Sequence, residues 1–182
     1  MLFNSYTFLF AFLPLTLLGF WILASRGNAR GAMLWLLAMS LVFYGWWNPV
    51  YLILLVGSVV VNHWIGGVLA DAHRAGMPNR FVLFAGVSLN LGLIGWFKYL
   101  GFFAGIADAV AGTGFGPVAV ALPLAISFFT FQGISYIVDV YRRDVEAVDQ
   151  PVDLFLYISF FPQLVAGPIV RAGEFLPQLK GP

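Results

Sequence analysis

Between Arg30 and Asp71 the chain runs through 40 consecutive residues without a charged side chain. As one helix, at about 1.5 Å per residue, that stretch would be about 60 Å long, twice the roughly 30 Å of a bilayer's hydrocarbon core. It therefore has to cross twice. The fold-back is legible at Trp46, Trp47, Asn48 and Pro49, where two indoles suit a membrane interface and Asn-Pro suits a tight turn. Further charge-free stretches precede Arg26 and run from Phe81 to Phe97, Ala109 to Val138 and Leu154 to Val170. Only 9% of the 182 residues are charged, against about a quarter in soluble domains, so the chain cannot clothe a water-facing surface. A disordered tail and a nucleic-acid-binding domain are excluded, and the absence of cysteine excludes a disulfide scaffold. The first partner implied is a lipid bilayer.

The expected architecture is an all-α, polytopic transmembrane bundle forming a single unit over 1–182. Spans are expected near 6–25, 32–47, 50–70, 81–103 and 118–138, with a broken or re-entrant segment near 154–170. Gly101 to Pro117 is glycine-rich and reads as a small loop with a helical start. Arg26, Arg30, Arg74, Arg80, Arg142 and Arg143 fall on one side of this scheme and Lys98 on the other, which places the N-terminus outside the cytoplasm. Met1 to Ser25 has no basic residue before its apolar run, so it reads as a retained helix and not as a signal peptide. In the last segment Pro162, Gly167 and Pro168 interrupt the apolar run. Broken backbone at membrane depth must be buried in protein or line a wet cavity.

One helix carries a polar stripe. Gln132, Ser135, Tyr136 and Asp139 stand at i, i+3, i+4 and i+7, on a face expected to meet protein or water and not lipid. Either it bonds neighbouring helices, at about 0.6 kcal/mol per pair, or it lines a cavity. Asp139 is expected to pair with Arg142 and Arg143 at i+3 and i+4. Asn90 reads as a helix-packing amide and Lys98 as a snorkelling lysine. His63 reads as an interfacial hydrogen-bonding group and His73 as a solvated side chain. Two separated histidines without cysteine give no metal site, and no Ser-His-Asp set, P-loop or dinucleotide fingerprint is present.

The run from Leu122 to Arg142 (LPLAISFFTFQGISYIVDVYR), followed by Phe160 to Arg171 (FFPQLVAGPIVR), resembles the membrane-bound O-acyltransferases, in particular their alginate O-acetylation branch. MLFNSYTFLFAFLP at the start, FYGWWNP over 43–49 and NLGLIGWFKY over 90–99 are similar to that branch too. Ala125 departs from it, standing where many relatives carry glycine. The resemblance implies a bacterial inner-membrane enzyme that moves an acyl group, most simply acetyl. The donor would be a cytoplasmic thioester such as acetyl-CoA, with no tightly held cofactor. The acceptor would be a hydroxyl of an exported polysaccharide such as alginate, or an acyl-carrier protein, on the exoplasmic side. It also implies that this is the N-terminal part of a longer protein whose catalytic histidine follows the GPIVR motif. No catalytic residue is therefore expected here. Gln132, Ser135, Tyr136, Gly167, Pro168 and Arg171 are expected to line part of a cavity. The competing readings are a transporter or channel subunit, which would share broken helices and a polar stripe, and a structural partner in a polysaccharide export complex.

Overall fold

The computed structural model describes residues 3–111, 121–167 and 170–179, and every regular element among them is helical. They are α1 (Leu13–Ser25), α2 (Ala29–Trp47), α3 (Pro49–Arg74), α4 (Arg80–Ile94), α5 (Leu100–Ala111), α6 (Ile126–Arg142), α7 (Pro151–Ser159), α8 (Phe161–Ala166) and α9 (Ala172–Leu179). A π-helical turn, Phe8–Phe12, leads into α1, and a second, Gly95–Tyr99, joins α4 to α5. Among the described residues, four continuous stretches are long and apolar enough to cross a membrane: Phe8–Ser25, Ala29–Trp46, Pro49–Arg74 and Arg80–Val110.

Asparagine starts three of these helices. The side chain of Asn28 accepts from Gly31 N–H at 2.8 Å, Asn48 from Val50 N–H at 3.0 Å, and Asn79 from Val82 N–H at 3.1 Å. Each satisfies a donor that the first helical turn leaves open. At Asn48 the cap is followed by Pro49 in the first turn of α3, where the missing proline N–H costs nothing. This is the fold-back read between the two spans.

Helix α6 is the centre of the bundle, packed on α3 and α4, with α7 wedged beneath α2 and α3. Small residues permit the approach. A Cβ on Gly86 of α4 would meet Ile137 Cδ1 at 2.9 Å, and one on Gly133 of α6 would meet Asn62 Nδ2 of α3 at 2.6 Å. Backbones held this close gain dispersion contacts, the main driving force for helix association in lipid. A second cluster, Phe8, Phe12, Met39, Phe43 and Phe161, ties the N-terminal π turn and α2 to α8.

Three boundaries differ from those expected. The fourth helix runs past 103, through Gly101 and Gly105, to Ala111; two isolated glycines cost about 1 kcal/mol each against alanine and do not end a helix of Leu, Phe and Ala. Gly112, Gly114, Gly116 and Pro117 lie outside the described residues. In the fifth apolar segment 118–120 lie outside the described residues, 121–125 are not helical, and the helix runs from Ile126 to Arg142. Its lead-in is pinned by Tyr51 Oη donating to Ala121 O at 2.7 Å and Tyr44 Oη donating to Leu124 O at 3.0 Å. The last segment is interrupted at Phe160, between α7 and α8, and again after Ala166. Pro162 accounts for the first break, because its ring in a continuing helix would strike the carbonyl four residues back. At nine and six residues, α7 and α8 reach roughly 14 and 9 Å. Neither alone crosses a bilayer.

Ala125 precedes α6 in the left-handed conformation, at φ 55° and ψ 22°. Glycine at this position therefore answers to backbone handedness, not only to close packing. The left-handed region costs an L-residue about 1–2 kcal/mol, partly offset by the greater chain entropy that glycine loses on folding. Ala125→Gly is expected to stabilise the protein by about 0.5 kcal/mol, read from denaturant unfolding in micelles; a lower midpoint would contradict this account.

Candidate functional site

The stripe on α6 faces inward. Gln132 and Tyr136 are buried, and Ser135 and Asp139 are half-buried. The Tyr136 ring lies across Gly66 of α3, and its hydroxyl accepts from Val148 N–H at 3.1 Å. The tyrosine thus fixes the connection between α6 and α7. Ser135 Oγ donates to Asp139 Oδ2 at 3.4 Å. Gln132 Oε1 is buried with no hydrogen-bond partner among the described residues, and so is Nε2 of Gln163 on α8. Unpaired buried amide atoms are costly in native structures and mark places where another group or water belongs.

Asp139 does not pair with the two arginines that follow it. Arg142 pairs with Asp144 at 3.2 Å, and Arg143 Nε lies 3.3 Å from His73 Nδ1. α6 ends at Arg142 and Arg143 is left-handed at φ 65°, so the chain reverses before Arg143 can lie along the helix above Asp139, while Arg142, still helical, turns to Asp144 instead. His73 is correspondingly not a freely solvated side chain. Its Nε2 lies 2.8 Å from Tyr141 O, an atom that only accepts, so the proton sits on Nε2 and Nδ1 accepts from arginine.

Asn90 does pack between helices, in a reciprocal amide pair with Asn62: Asn62 Nδ2 donates to Asn90 Oδ1 at 3.2 Å, and Asn90 Nδ2 donates to Asn62 Oδ1 at 2.9 Å. His63 has a buried Nδ1 without a partner among the described residues. Lys98 is exposed in the second π turn, 5.5 Å from the centre of the Tyr99 ring.

The remaining expected wall residues are dispersed. Gly167 ends α8, and its N–H donates to Gln163 O. Pro168 lies outside the described residues. Arg171 is exposed, and its carbonyl accepts from Glu174 and Phe175 at the start of α9.

Two cavities flank the 144–150 connection instead. One, of about 350 Å³, is lined by Asp144, Glu146, Asp149 and Asp153 with Leu176 and Pro177 of α9. The other, of about 490 Å³, is lined by His73, Arg74, Arg143, Glu146 and Asp149. Among the described residues, Gln132, Ser135, Tyr136, Gly167 and Arg171 border neither. Sequence reasoning passed over this acidic run; its signal was Asp144, Glu146 and Asp149 set between two arginines and Pro151. Nearby, Arg30 at the start of α2 bonds Asp153 at the start of α7, at 3.0 Å. Arg30, His73 and Arg143 therefore meet at one end of the bundle, as an alternating topology requires, and Lys98 lies about 27 Å along the helix from Arg80.

The chain is similar to curated proteins over 99% of its length. It is 39% identical to a peptidoglycan O-acetyltransferase of Helicobacter pylori, 38% to the probable alginate O-acetylase AlgI of Pseudomonas putida and 40% to that of Azotobacter vinelandii. It spans 39%, 37% and 36% of their respective lengths. No family model and no solved structure matches it. The O-acyltransferase resemblance carried by the sequence motifs is borne out by these relatives.

Proposed function

We propose that this chain forms part of a membrane-bound O-acyltransferase that O-acetylates an exported polysaccharide. The observation that carries the reading is its identity of 38–40% over 99% of its length to O-acetylases of alginate and peptidoglycan. A transporter or channel is not favoured by them. In the proposed reaction an acceptor hydroxyl oxygen bonds the acyl carbon of a thioester such as acetyl-CoA, the thiolate leaves, and a general base takes the hydroxyl proton. The donor would enter from the cytoplasm, at the end of the bundle carrying Arg30, Arg74, Arg142 and Arg143. The N-terminus and the polysaccharide, or a carrier protein delivering the acyl group to it, would lie on the other side of a bacterial inner membrane. His73 is not assigned as the base, since both its ring nitrogens are engaged.

Gln132, Ser135, Tyr136, Gly167, Pro168 and Arg171 are proposed to border the path between donor and acceptor. Support comes from the unpaired Oε1 of Gln132 and the break of the chain around α8, since broken backbone is tolerated in a bilayer where it lines a wet cavity. The test is the acetyl content of the exported glycan in a strain lacking the gene, complemented with wild type or Gln132→Leu. The deletion is expected to abolish acetylation; unchanged acetylation would overturn the proposed activity. Gln132→Leu is expected to lower acetylation while shifting stability by no more than about 1 kcal/mol. Full acetylation by that variant would remove Gln132 from the path.

A further inference from the structure

We propose that α5 is an interfacial helix, embedded by one apolar face in the lipid leaflet farther from Arg80. The stretch Arg80–Val110 is continuous over 31 residues, or about 46 Å. To fit within a hydrocarbon core of about 30 Å it would have to tilt by about 50°, beyond the roughly 40° limit seen for membrane helices. Part of it therefore lies outside the core, and the side chains say which part. Trp96, Lys98 and Tyr99 are exposed together in the π turn, and Trp, Tyr and snorkelling Lys are the residues that sit at headgroup level. The roughly 27 Å of helix from Arg80 to Lys98 spans one hydrocarbon core. Leu100–Ala111 begins where the core ends.

That segment is not dressed for water. Phe102 and Phe103 are each 62% exposed, Ile106 46% and Val110 83%. At about 100° per residue these four fall within one arc of roughly 100°, with Asp108 on the opposite side. Among the described elements, α5 packs substantially only on the π turn at its own base. Its apolar arc continues the lipid-facing surface of α4, where Phe81, Phe84, Leu89 and Leu91 are exposed. From Gly101 to Ala111 the side opposite that arc carries only glycine, alanine and Asp108, so the bulky apolar side chains are confined to one face, which is suited to lie in the interface about 5–10 Å below the headgroups. The π turn Gly95–Tyr99 interrupts the α-helical ladder between the two parts, and i→i+5 bonding of this kind is one of the identifiable places at which a helix can change direction.

The test is site-directed spin labelling of the full-length protein, any cysteines elsewhere replaced, in phosphatidylethanolamine and phosphatidylglycerol vesicles. This chain contributes no cysteine of its own. Phe102→Cys, Phe103→Cys, Ile106→Cys, Val110→Cys and, for the far side of the helix, Ala104→Cys are labelled singly. Collision rates are measured with lipid-soluble oxygen and a water-soluble nickel chelate. The ratio of oxygen to nickel accessibility is expected to be severalfold higher at 102, 103, 106 and 110 than at 104, with depths near the headgroups. High nickel accessibility at all five positions, exclusion of both reagents at the four apolar ones, or depths near the bilayer centre would each overturn the proposal. These readings do not depend on acetylation, so the proposed activity and the helix placement fail separately.

Discussion

Gly66→Val is expected to destabilise the protein by about 3 kcal/mol, combining the cost of overpacking with that of an unpaired backbone N–H. A Cβ at position 66 would stand 2.7 Å from both Cε1 and Oη of Tyr136. Tyr136 is fully buried in the central core and holds Val148 N–H through that same oxygen. The ring cannot move aside without releasing the 144–150 connection, and α3 and α6 cannot part without opening the core. The next residue supplies the control: nothing lies within 4 Å of a Cβ built on Gly67. Gly67→Val should therefore stay within about 0.5 kcal/mol of wild type. Denaturant unfolding in micelles would distinguish the two. Equal effects at both positions would remove the steric explanation, whereas partial recovery in a Gly66→Val, Tyr136→Ala double variant would locate the strain at this pair.

Asn62→Leu is expected to cost about 2–3 kcal/mol, against an average of about 0.6 kcal/mol for an interhelical hydrogen bond in a membrane protein. The excess has two sources. Both asparagines are fully buried, so removing one leaves Asn90 Oδ1 without its donor where water cannot replace it. The new side chain would also press on α6, because Gly133 lies directly against the Asn62 amide. Asn90 Nδ2 would keep its bond to Gly86 O at 2.9 Å, so not all of the pairing is lost. Asn62→Leu combined with Asn90→Leu should cost less than the sum of the single changes, since no orphaned amide oxygen remains. Strict additivity, or a single-variant cost near 0.6 kcal/mol, would show that the amides contribute no more than an average membrane pair.

These two sites show where reading the sequence succeeded and where it stopped. Asn90 was read as a packing amide because an apolar helix offers an amide few other roles. Its partner lies 28 residues away on another helix, a distance in sequence that no local period encodes. The adjacent Gly66 and Gly67 are equivalent by composition and propensity, yet one abuts a tyrosine ring and the other abuts nothing. The inward direction of Gln132, Ser135, Tyr136 and Asp139 followed from the 3.6-residue period together with the cost of turning polar groups to lipid. The failure of Asp139 to meet Arg143 did not, because i,i+4 spacing places side chains together only while the helix continues, and it ends at Arg142; Arg142, still within the helix, pairs with Asp144 instead. The described cavities gather residues of α3, α6, α7 and α9 around the acidic 144–150 connection, a grouping that no local period encodes.

By itself the sequence determined that this chain belongs in a lipid bilayer, roughly where it crosses, where asparagine and proline turn it, and which family it resembles. Those properties depend on hydropathy, charge spacing and short-range hydrogen bonding, all of which act over a few neighbouring residues. Only the tertiary structure decided that α6 is the central helix, that Asn62 meets Asn90, that Tyr136 rests on Gly66, and that the long fourth helix runs on for 31 residues to Val110. In lipid every apolar helix face is about equally well solvated. Partner choice is therefore left to close packing between small residues and to a few buried polar contacts, and both depend on where distant parts of the chain lie in space.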